Sequence, residues 1–413
     1  MKSTRPPTAT MEGLYFRVTQ PLVLEPLALA IMFGALAACD APPDWSPPGD
    51  AAGSDVVGLV DAPAGGGDAD GGSEAGGGSD AGSGSDAGGG SDGGGGVLPA
   101  DYSIVVLPDT QYYAAAFPDI FMEQTRWIVD HRDEQQIGFV LHTGDVTDDD
   151  GPEQWEVASR SLHLLDGVVP YMIAAGNHDY HTLADRMGMA NVYFPPSAFT
   201  ANPWFGGTFE PEHIENAFSL ITVGATRWVV LSLEFGPRDE ALAWASSILE
   251  AFRDRPAIVI THAYLYHDSS RYNASGPPQN FNPHAYAMMG QPRSSINDGE
   301  EMWQKLIVPN RNVKLVFSGH DVNFGDLPPG TTGRLSSARP DGSVVHQILA
   351  NYQTCTGAPC ALSYQGTVVN GGNGFLRIVR FSAVSQTISV STYSPHLDRW
   401  LDDPANRFDL PMN

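Results

Sequence analysis

Basic residues are scarce in this sequence of 413 residues, in which 22 Lys and Arg face 48 Asp and Glu and the formal net charge is −26. An acidic surface repels polyphosphate backbones, so extended nucleic acid is not an expected partner. Long apolar runs are lacking as well, because the run LALAIMFGALAA at 27–38 falls short of the about 20 residues that span a bilayer. This run has the length of a signal peptide and not of a mature membrane helix.

The first of only three cysteines follows this apolar run. Leu36, Ala37, Ala38 and Cys39 resemble the lipobox of bacterial lipoproteins, which implies cleavage before Cys39 and lipidation of its sulfur. The alternative is an ordinary signal peptide that is cut nearby, with Cys39 incidental. We therefore predict a lipoprotein-type signal peptide at 1–38. The mature chain is then an exported lipoprotein of the cell envelope, in the periplasm or on the outer surface, held to a membrane by its lipid anchor.

Basic and large apolar residues almost disappear in the next segment. Residues 40–98 are dominated by Gly, Ser, Ala, Pro and Asp, as in GGGSDAGSGSDAGGGSDGGGG, and contain no Lys or Arg. Such a composition buries too little apolar surface to offset the entropy of ordering the chain. We predict a disordered tether over 39–98, with a reach of roughly 40 Å if it behaves as a Gly-rich coil.

The two remaining cysteines, Cys355 and Cys360, lie close together in CTGAPC. Gly357 and Pro359 favour a tight turn between them, so the pair can close a small disulfide loop in an oxidising compartment. Two free thiols are the alternative. A zinc site built from this pair alone is less expected, because structural zinc normally has four ligands.

Apolar runs alternate with amphipathic stretches from residue 101 onwards. We predict strands at 102–108, 138–142, 168–175, 257–260 and 313–317, hairpins from 218–223 with 227–233 and from 374–381 with 386–393, and helices at 118–131, 152–165, 239–253 and 299–307. This alternation predicts one α/β domain with mixed sheets over 99–413. The segment 180–215, rich in Pro, Gly, Phe and Tyr, is either a specificity wall beside the site or structural packing.

Polar side chains directly follow five of the predicted strands. The clusters are DTQ at 109–111, GDVTD at 144–148, GNHD at 176–179, His262, and GH at 319–320. Strand ends of an open α/β sheet converge on one crevice, so we expect these side chains to meet there. Carboxylate, amide and imidazole donors that face one point are what a pair of divalent metals requires.

At these residues the sequence resembles the calcineurin-like metallophosphoesterase superfamily. The family motifs D-x-H or D-x-Q, GD-x-x-D, GNH, a lone His and GH-x-H occur in this order as DTQ, GDVTD, GNHD, THAY and GHDV. LPDTQYY, NDGEEMW and NGGNGFLRI also resemble a bacterial branch that has the glutamine form of the first motif. The resemblance covers 101–410 and implies a four-layer α/β/β/α sandwich with mixed sheets.

The same resemblance implies two divalent metal ions, from among Mn, Fe, Zn and Mg. The implied ligands, residue by residue, are Asp109 and Gln111 for the first metal, Asp145 as a bridge between the metals, and Asn177, His262 and His320 for the second metal. Two such cations neutralise a phosphoryl group, generate a bridging hydroxide and align it with the leaving group. The resemblance further implies that the catalytic His178 is the general acid or a transition-state stabiliser near the leaving oxygen, and that Asp148 orients it.

The family pattern is broken at one position, because Val322 stands where the second His of GH-x-H binds the first metal. Valine has no lone pair, which leaves Asp109, Gln111 and Asp145 as an all-oxygen set that favours hard ions. Asp321 or Asn323 can replace the missing ligand, water or substrate can complete the shell, or the first site is weak or empty. Our hypothesis is a weakened first site with retained activity.

Two functions follow from these residues. The first is a metal-dependent hydrolase of small phosphomonoesters or phosphodiesters at the bacterial envelope, in which a metal-bridging hydroxide attacks. The alternative is a non-catalytic, envelope-anchored binding protein with a degraded first metal site. His181 and His267 lie close enough to the motifs to be candidates for substrate contact.

Overall fold

The computed structural model describes residues 101–183, 186–286, 295–322, 330–353, 363–364, 367–368 and 370–412. These residues belong to one compact unit, Gly90–Asn413. The predicted signal peptide, the predicted tether and all three cysteines, Cys39, Cys355 and Cys360, lie outside the described residues. The domain boundaries that we drew at 39 and 99 therefore stay predictions.

Strands and helices alternate along the first two thirds of this unit, and strands dominate its last third. The strands are β1 (Tyr102–Leu107), β2 (Ile137–His142), β3 (Tyr171–Ile173), β4 (Phe205–Thr208), β5 (Ala217–Val223), β6 (Thr226–Leu233), β7 (Ala257–Thr261), β8 (Val313–Ser318), β9 (Thr331–Ala338), β10 (Val344–Asn351), β11 (Ser363–Tyr364), β12 (Thr367–Val368), β13 (Leu376–Ser382), β14 (Thr387–Ser394), β15 (Arg399–Leu401) and β16 (Phe408–Pro411). The α-helices are α1 (Gln111–Ala116), α2 (Pro118–Asp130), α3 (Pro152–Leu162), α4 (Ala190–Tyr193), α5 (Pro196–Phe199), α6 (Asp239–Ala251) and α7 (Gly299–Met302).

Two large mixed sheets form the centre of the fold. The first sheet has the order β15-β14-β13-β1-β2-β3, with β16 beside β14, and the second has the order β4-β5-β6-β7-β8-β10-β9. β1, β2 and β3 run parallel in the first sheet, and β6, β7, β8 and β10 run parallel in the second. The carboxyl ends of the strands that precede the polar clusters therefore lie at one edge of each sheet.

Successive side chains of a strand point to opposite faces of the sheet, and in the second sheet the side chains of both faces are buried. Val230 and Ile260 pack into a core shared with the first sheet, whereas Val229 and Val259 pack on the opposite face against α6 and Trp303. The two sheets are also joined by a hydrogen bond of 2.8 Å from Trp228 Nε1 to the hydroxyl of Tyr102.

Helices α2 and α3 cover the outer face of the first sheet, since their apolar residues Ile120, Phe121, Ile128, Trp155 and Leu162 belong to the shared core. With α6 and α7 on the other side, the layers are helix, sheet, sheet and helix. The predicted four-layer α/β/β/α sandwich with mixed sheets is confirmed. Among the described residues, no helix combines the length and the apolar character needed to cross a bilayer.

Most predicted elements are confirmed, with shifted ends. The hairpin of β5 and β6 and the antiparallel pair of β13 and β14 form at the predicted positions in the sequence. The strand predicted at 168–175 is confined to β3, the helix predicted at 152–165 gives way to a 3₁₀ turn after Leu162, and the helix predicted at 299–307 continues from α7 as a π-helical turn. In the segment 180–215, the aromatic residues Phe194 and Phe199 are buried in the shared core, so these two serve packing.

Candidate metal centre

The polar clusters that follow β1, β2, β3, β7 and β8 meet where the edges of the two sheets come together. Asp145 and His320 have positive φ angles of 50° and 74°, which are uncommon for residues other than glycine. Strained backbone of this kind persists where the surrounding structure fixes it, and it clusters at functional sites. Both residues are predicted metal ligands.

Glycine is required beside two of the acidic residues because the chain passes so close to them. A Cβ atom at Gly176 would lie 2.1 Å from Oδ1 of Asp145, and one at Gly319 would lie 2.4 Å from Oδ1 of Asp109. Such distances are too short for any side chain carbon. The glycines of GNH and GH-x-H thus let the loops close around the two carboxylates.

His262 and Asp145 face each other in the centre of the site. Nδ1 of His262 lies 2.8 Å from the carbonyl oxygen of Thr143, and because a carbonyl only accepts, Nδ1 carries a proton. The other ring nitrogen, Nε2, lies 3.0 Å from Oδ2 of Asp145. Burial lowers the pKa of His262, but the charges of Asp145 and Asp109 outweigh it and raise the pKa to about 9. The protonated ring of His262 is therefore favoured at neutral pH beside Asp145.

Asp109 is the second buried carboxylate of the site. The backbone N–H of His320 donates to both of its oxygens, at 3.2 and 3.1 Å, and Oδ1 lies 3.6 Å from Nδ1 of His262. Burial raises the pKa of Asp109 to about 8, although the charge of His262 opposes this shift. In Asp145, burial also raises the pKa, but His262 and His178 prevail and hold it below its ordinary value.

His320 completes a group of three buried ligands. One ligand atom each from Asp145, His262 and His320 lie within 4.8 Å of one another. Burial and the nearby His262 lower the pKa of His320 to about 3, so its ring is neutral. Its Nε2 lies 2.8 Å from the carbonyl oxygen of Phe281.

Two buried polar atoms of the predicted ligands have no hydrogen-bond partner among the described residues: Oε1 of Gln111 and Oδ1 of Asn177. A buried polar atom without a partner costs free energy, so native proteins almost always satisfy such atoms. Together with two buried carboxylates, these lone pairs form a donor set that suits divalent cations. The residues present therefore fit the metal centre that the sequence predicts.

His178 lies at the exposed side of this centre. Its backbone N–H donates to Oδ1 of Asp145 at 3.0 Å, and its Nδ1 lies 2.6 Å from the backbone carbonyl oxygen of Asp148. The carboxylate of Asp148 is farther away, with Oδ1 at 3.7 Å from Nδ1, and accepts a hydrogen bond of 2.8 Å from Nε2 of Gln111. Asp148 thus contacts His178 first through its backbone, which the sequence could not indicate.

The structure places Asp321 away from the missing ligand position. Its buried carboxylate accepts hydrogen bonds from the backbone N–H and Nδ1 of His267, at 2.6 and 2.8 Å, and from the hydroxyl of Tyr272 at 3.2 Å. Asp321 is therefore committed to these partners and does not replace the histidine lost at Val322, which is half-buried. Asn323 lies outside the described residues.

Two supporting residues were missed by the sequence analysis. The buried carboxylate of Asp179 accepts hydrogen bonds from the backbone N–H groups of Val146, Thr147 and Gly176 and joins the loops after β2 and β3. His142 bonds the hydroxyl of Thr110 at 2.9 Å and joins the end of β2 to the loop after β1. The signal for Asp179 was its place in the quoted GNHD, whereas no sequence signal distinguished the role of His142.

This geometry agrees with a comparison against known protein families. The model of the family described as calcineurin-like phosphoesterase matches residues 102–324. The chain belongs to the calcineurin-like phosphoesterase family. Membership confirms the predicted family and supports the prediction of a metal-dependent phosphoesterase.

The chain is also similar to a protein of known sequence. The chain is 32% identical over 298 residues to YvnB of Bacillus subtilis (strain 168), an uncharacterized protein, covering 72% of this chain and 20% of that one. It thus spans about a fifth of the length of that curated relative.

Two solved structures are similar at low identity. The purple acid phosphatase PPD1 of yellow lupin seeds has a TM-score of 0.42 and 15% identity over 76% of this chain and 54% of that chain. The Haemophilus influenzae NAD nucleotidase has a TM-score of 0.33 and 11% identity over 73% and 53% of the two chains.

Proposed function

We propose that this calcineurin-like phosphoesterase hydrolyses small phosphomonoesters or phosphodiesters with two divalent metal ions, Mn, Fe, Zn or Mg. One observation carries the proposal: Nε2 of His262 and Oδ2 of Asp145 face each other at 3.0 Å, and ligand oxygens of Gln111 and Asn177 are buried beside them without partners. Lone pairs that converge in this way are stabilised by cations.

Asp109 and Gln111 would hold the first metal, Asp145 would bridge, and Asn177, His262 and His320 would hold the second. When bound, the ions neutralise phosphoryl charge and lower the pKa of a coordinated water. The chain itself fixes the ligands: the carbonyl of Thr143 keeps the proton of His262 on Nδ1 and so frees Nε2. The glutamine form of the first motif would let one amide serve twice, because Nε2 donates to Asp148 and Oε1 would remain available to hold the metal.

His178 would supply the proton to the leaving oxygen. The carbonyl of Asp148 accepts from Nδ1, so Nε2 is the nitrogen that can exchange a proton with substrate. Burial lowers the pKa of His178, but the charge of Asp145 and the bond to the Asp148 carbonyl raise it above its ordinary value. The imidazolium form, which can donate a proton, therefore persists to higher pH than in an unperturbed histidine.

The test is turnover of bis-p-nitrophenyl phosphate and p-nitrophenyl phosphate by the purified full chain with Mn²⁺. The matched control is Asn177→Ala, which removes one uncharged ligand. We expect turnover that depends on added metal and falls in the control, and the preferred ester will separate a diesterase from a monoesterase. Turnover that is the same in both proteins, or that survives chelation, would refute the proposal.

A non-catalytic binding protein is the second candidate, and Val322 favours it. The first metal would be left with Asp109, Gln111 and Asp145, because Asp321 is bonded to His267 and Tyr272. Absence of turnover with both esters and with Mg²⁺, Mn²⁺, Zn²⁺ and Fe²⁺, in protein that still binds metal, would establish this candidate.

We also propose that the chain is an envelope lipoprotein, based on the lipobox-like residues that end at Cys39 and on the tether at 39–98. In a bacterial host, the wild-type chain should partition into detergent and Cys39→Ser should remain in the aqueous phase; equal partitioning would refute the anchor. The tether would let the domain reach small phosphoesters near the membrane.

Alkylation without reductant should leave Cys355 and Cys360 unmodified if they form a disulfide.

A further inference from the structure

A short segment between β7 and α7 contacts the metal ligand His320 from outside the metal centre. We call residues 281–286 the strap. The carbonyl oxygen of Phe281 lies 2.8 Å from Nε2 of His320, and the hydroxyl of Tyr286 lies 3.5 Å from the same atom. Both ends of the strap therefore reach one ring nitrogen of one predicted ligand.

The shorter of these contacts determines which nitrogen of His320 carries the proton. A carbonyl oxygen only accepts hydrogen bonds, so Nε2 of the neutral ring must donate to Phe281. The neutral imidazole has a single proton, which leaves Nδ1 with the lone pair that a metal requires. The hydroxyl of Tyr286, at the limit of hydrogen-bond distance, adds a weaker contact.

The backbone of the strap is held in an uncommon conformation at this contact. Phe281 has a φ angle of 62°, in the left-handed region that a bulky residue occupies only at a cost in free energy. Its ring is 36% exposed, so burial of the side chain does not hold it there. Other contacts of the strap must offset this cost.

Two residues of the strap anchor it to the start of α7. Asn282 accepts a hydrogen bond of 2.9 Å from the backbone N–H of His284 and donates one of 3.3 Å to Oδ2 of the buried Asp298. Nε2 of His284 lies 2.6 Å from Oε2 of Glu301. The side-chain amide of Asn282 and the contact between His284 and Glu301 thus hold the strap in place.

The anchoring residues on α7 are themselves fixed. Asp298 and Glu301 form a capping box, in which the backbone N–H of Glu301 donates to Oδ1 of Asp298 at 3.1 Å and the backbone N–H of Asp298 donates to Oε2 of Glu301 at 3.0 Å. A Cβ atom at Gly299 would lie 2.1 Å from the carbonyl oxygen of Tyr264. These are residues of the NDGEEMW stretch, for which the catalytic site offers no role.

We propose that the strap, anchored by His284 on Glu301 and by Asn282 on Asp298, is a positioning device that fixes the metal-binding tautomer of His320. The inference rests on the proposed metal centre, but not on turnover. Partners that hold the second nitrogen of a metal-binding histidine set its tautomer and contribute to metal affinity. Here the partner is a backbone carbonyl, so the side chains that anchor its segment, Asn282 and His284, must supply the rigidity.

The test compares His284→Ala with His396→Ala in the full chain. His396 is a matched control because its Nδ1 also bonds a glutamate, Glu123, at 2.8 Å with similar exposure, yet its partner lies on α2. The readouts are the ring ¹⁵N chemical shifts of His320 in metal-free protein and calorimetric titration with Mn²⁺ or Zn²⁺.

We expect His284→Ala to let His320 populate both tautomers and to weaken metal binding at the second site by roughly 10- to 100-fold. We expect His396→Ala to change neither. His284→Gln, which retains a donor for Glu301, should restore both. If His284→Ala does not fold, Asn282→Ala tests the other anchor with the same expected result. A lower melting temperature with an unchanged tautomer and affinity would overturn the proposal.

One further outcome would also overturn it. One atom each of His284, Asp298 and Glu301 lie within 4.8 Å of one another, so titration that finds a third ion, lost in His284→Ala while the other two bind normally, would show a metal site and not an anchor. Because none of these readouts is hydrolysis, failure of the strap and failure of the proposed phosphoesterase activity are distinguishable.

Discussion

Nε2 of His262 lies 3.0 Å from Oδ2 of Asp145, with both side chains fully buried. The proton that makes this contact favourable in metal-free protein must leave when a cation binds. The pKa of His262 is raised to about 9 and that of Asp109 to about 8, so both groups hold protons below these values.

We therefore expect metal affinity to rise with pH and to level off above about pH 9, with up to two protons released per binding event near neutrality. Calorimetry in buffers of different ionisation enthalpy measures this number. Asp109→Asn should reduce it by one, whereas Asn177→Ala should weaken binding without changing it. Affinity that is constant between about pH 6 and pH 9 would contradict the expectation.

Restoring a histidine at Val322 should strengthen the first metal site. The new imidazole would add a ligand to Asp109, Gln111 and Asp145, and we expect the weaker of two binding events to tighten by at least the roughly tenfold that even an outer ligand partner contributes. Competition with a metal-sensitive dye measures this change. Val322→Ala controls for loss of the valine side chain. Equal metal affinity in Val322→His and Val322→Ala would disprove that the first site lacks a ligand at this position.

Removing the imidazole of His178 should slow hydrolysis without loss of metal. We expect His178→Ala to lower kcat by roughly 10²- to 10⁴-fold, as for other general acids. The loss should be larger for an alkyl ester than for a p-nitrophenyl ester, because the poorer leaving oxygen depends more on the proton. His396→Ala, at a histidine whose ring bonds Glu123 on α2, is the control. Equal losses for both esters would argue that His178 binds substrate instead.

The carboxylate of Asp179 should be important for stability. Asp179→Asn places an amide N–H₂ among donors from Val146, Thr147 and Gly176, so at least one buried donor loses its acceptor. We expect the free energy of unfolding, measured in urea, to fall by on the order of 3 kcal/mol. Asp133→Asn, at an exposed carboxylate, should be neutral, and a matching loss there would rule out this explanation.

Much of the sandwich is predictable from sequence because its strands have simple patterns. β6, β7 and β8 are continuous apolar runs, as strands covered on both faces must be. β10 escaped notice because it buries polar residues: Gln347 is fully buried but bonds Arg271 and Ser337. Its neighbour β9 lies at the sheet edge and is half exposed. Buried polar residues whose hydrogen bonds are satisfied do not produce the apolar sequence pattern that identifies a buried strand.

The metal centre is predictable only in part. The strand-end motifs identify residues such as Asp145 and His262, since a strand fixes where its last residue lies. The carbonyl of Phe281 could not be found in this way, because any residue can supply a carbonyl and the left-handed backbone at Phe281 has no sequence signature. The commitment of Asp321 to His267 was equally hidden.

The two sheets contribute chemically different ligands to this centre. Loops of the first sheet carry the oxygen donors Asp109, Gln111, Asp145 and Asn177, and the second sheet carries the nitrogen donors His262 and His320. If the proposed ligands hold two ions, valine at 322 would leave the first ion in contact with only one half of the sandwich, whereas the second ion would contact both halves. Sliding of one sheet over the other would thus be felt by one metal and not by its neighbour.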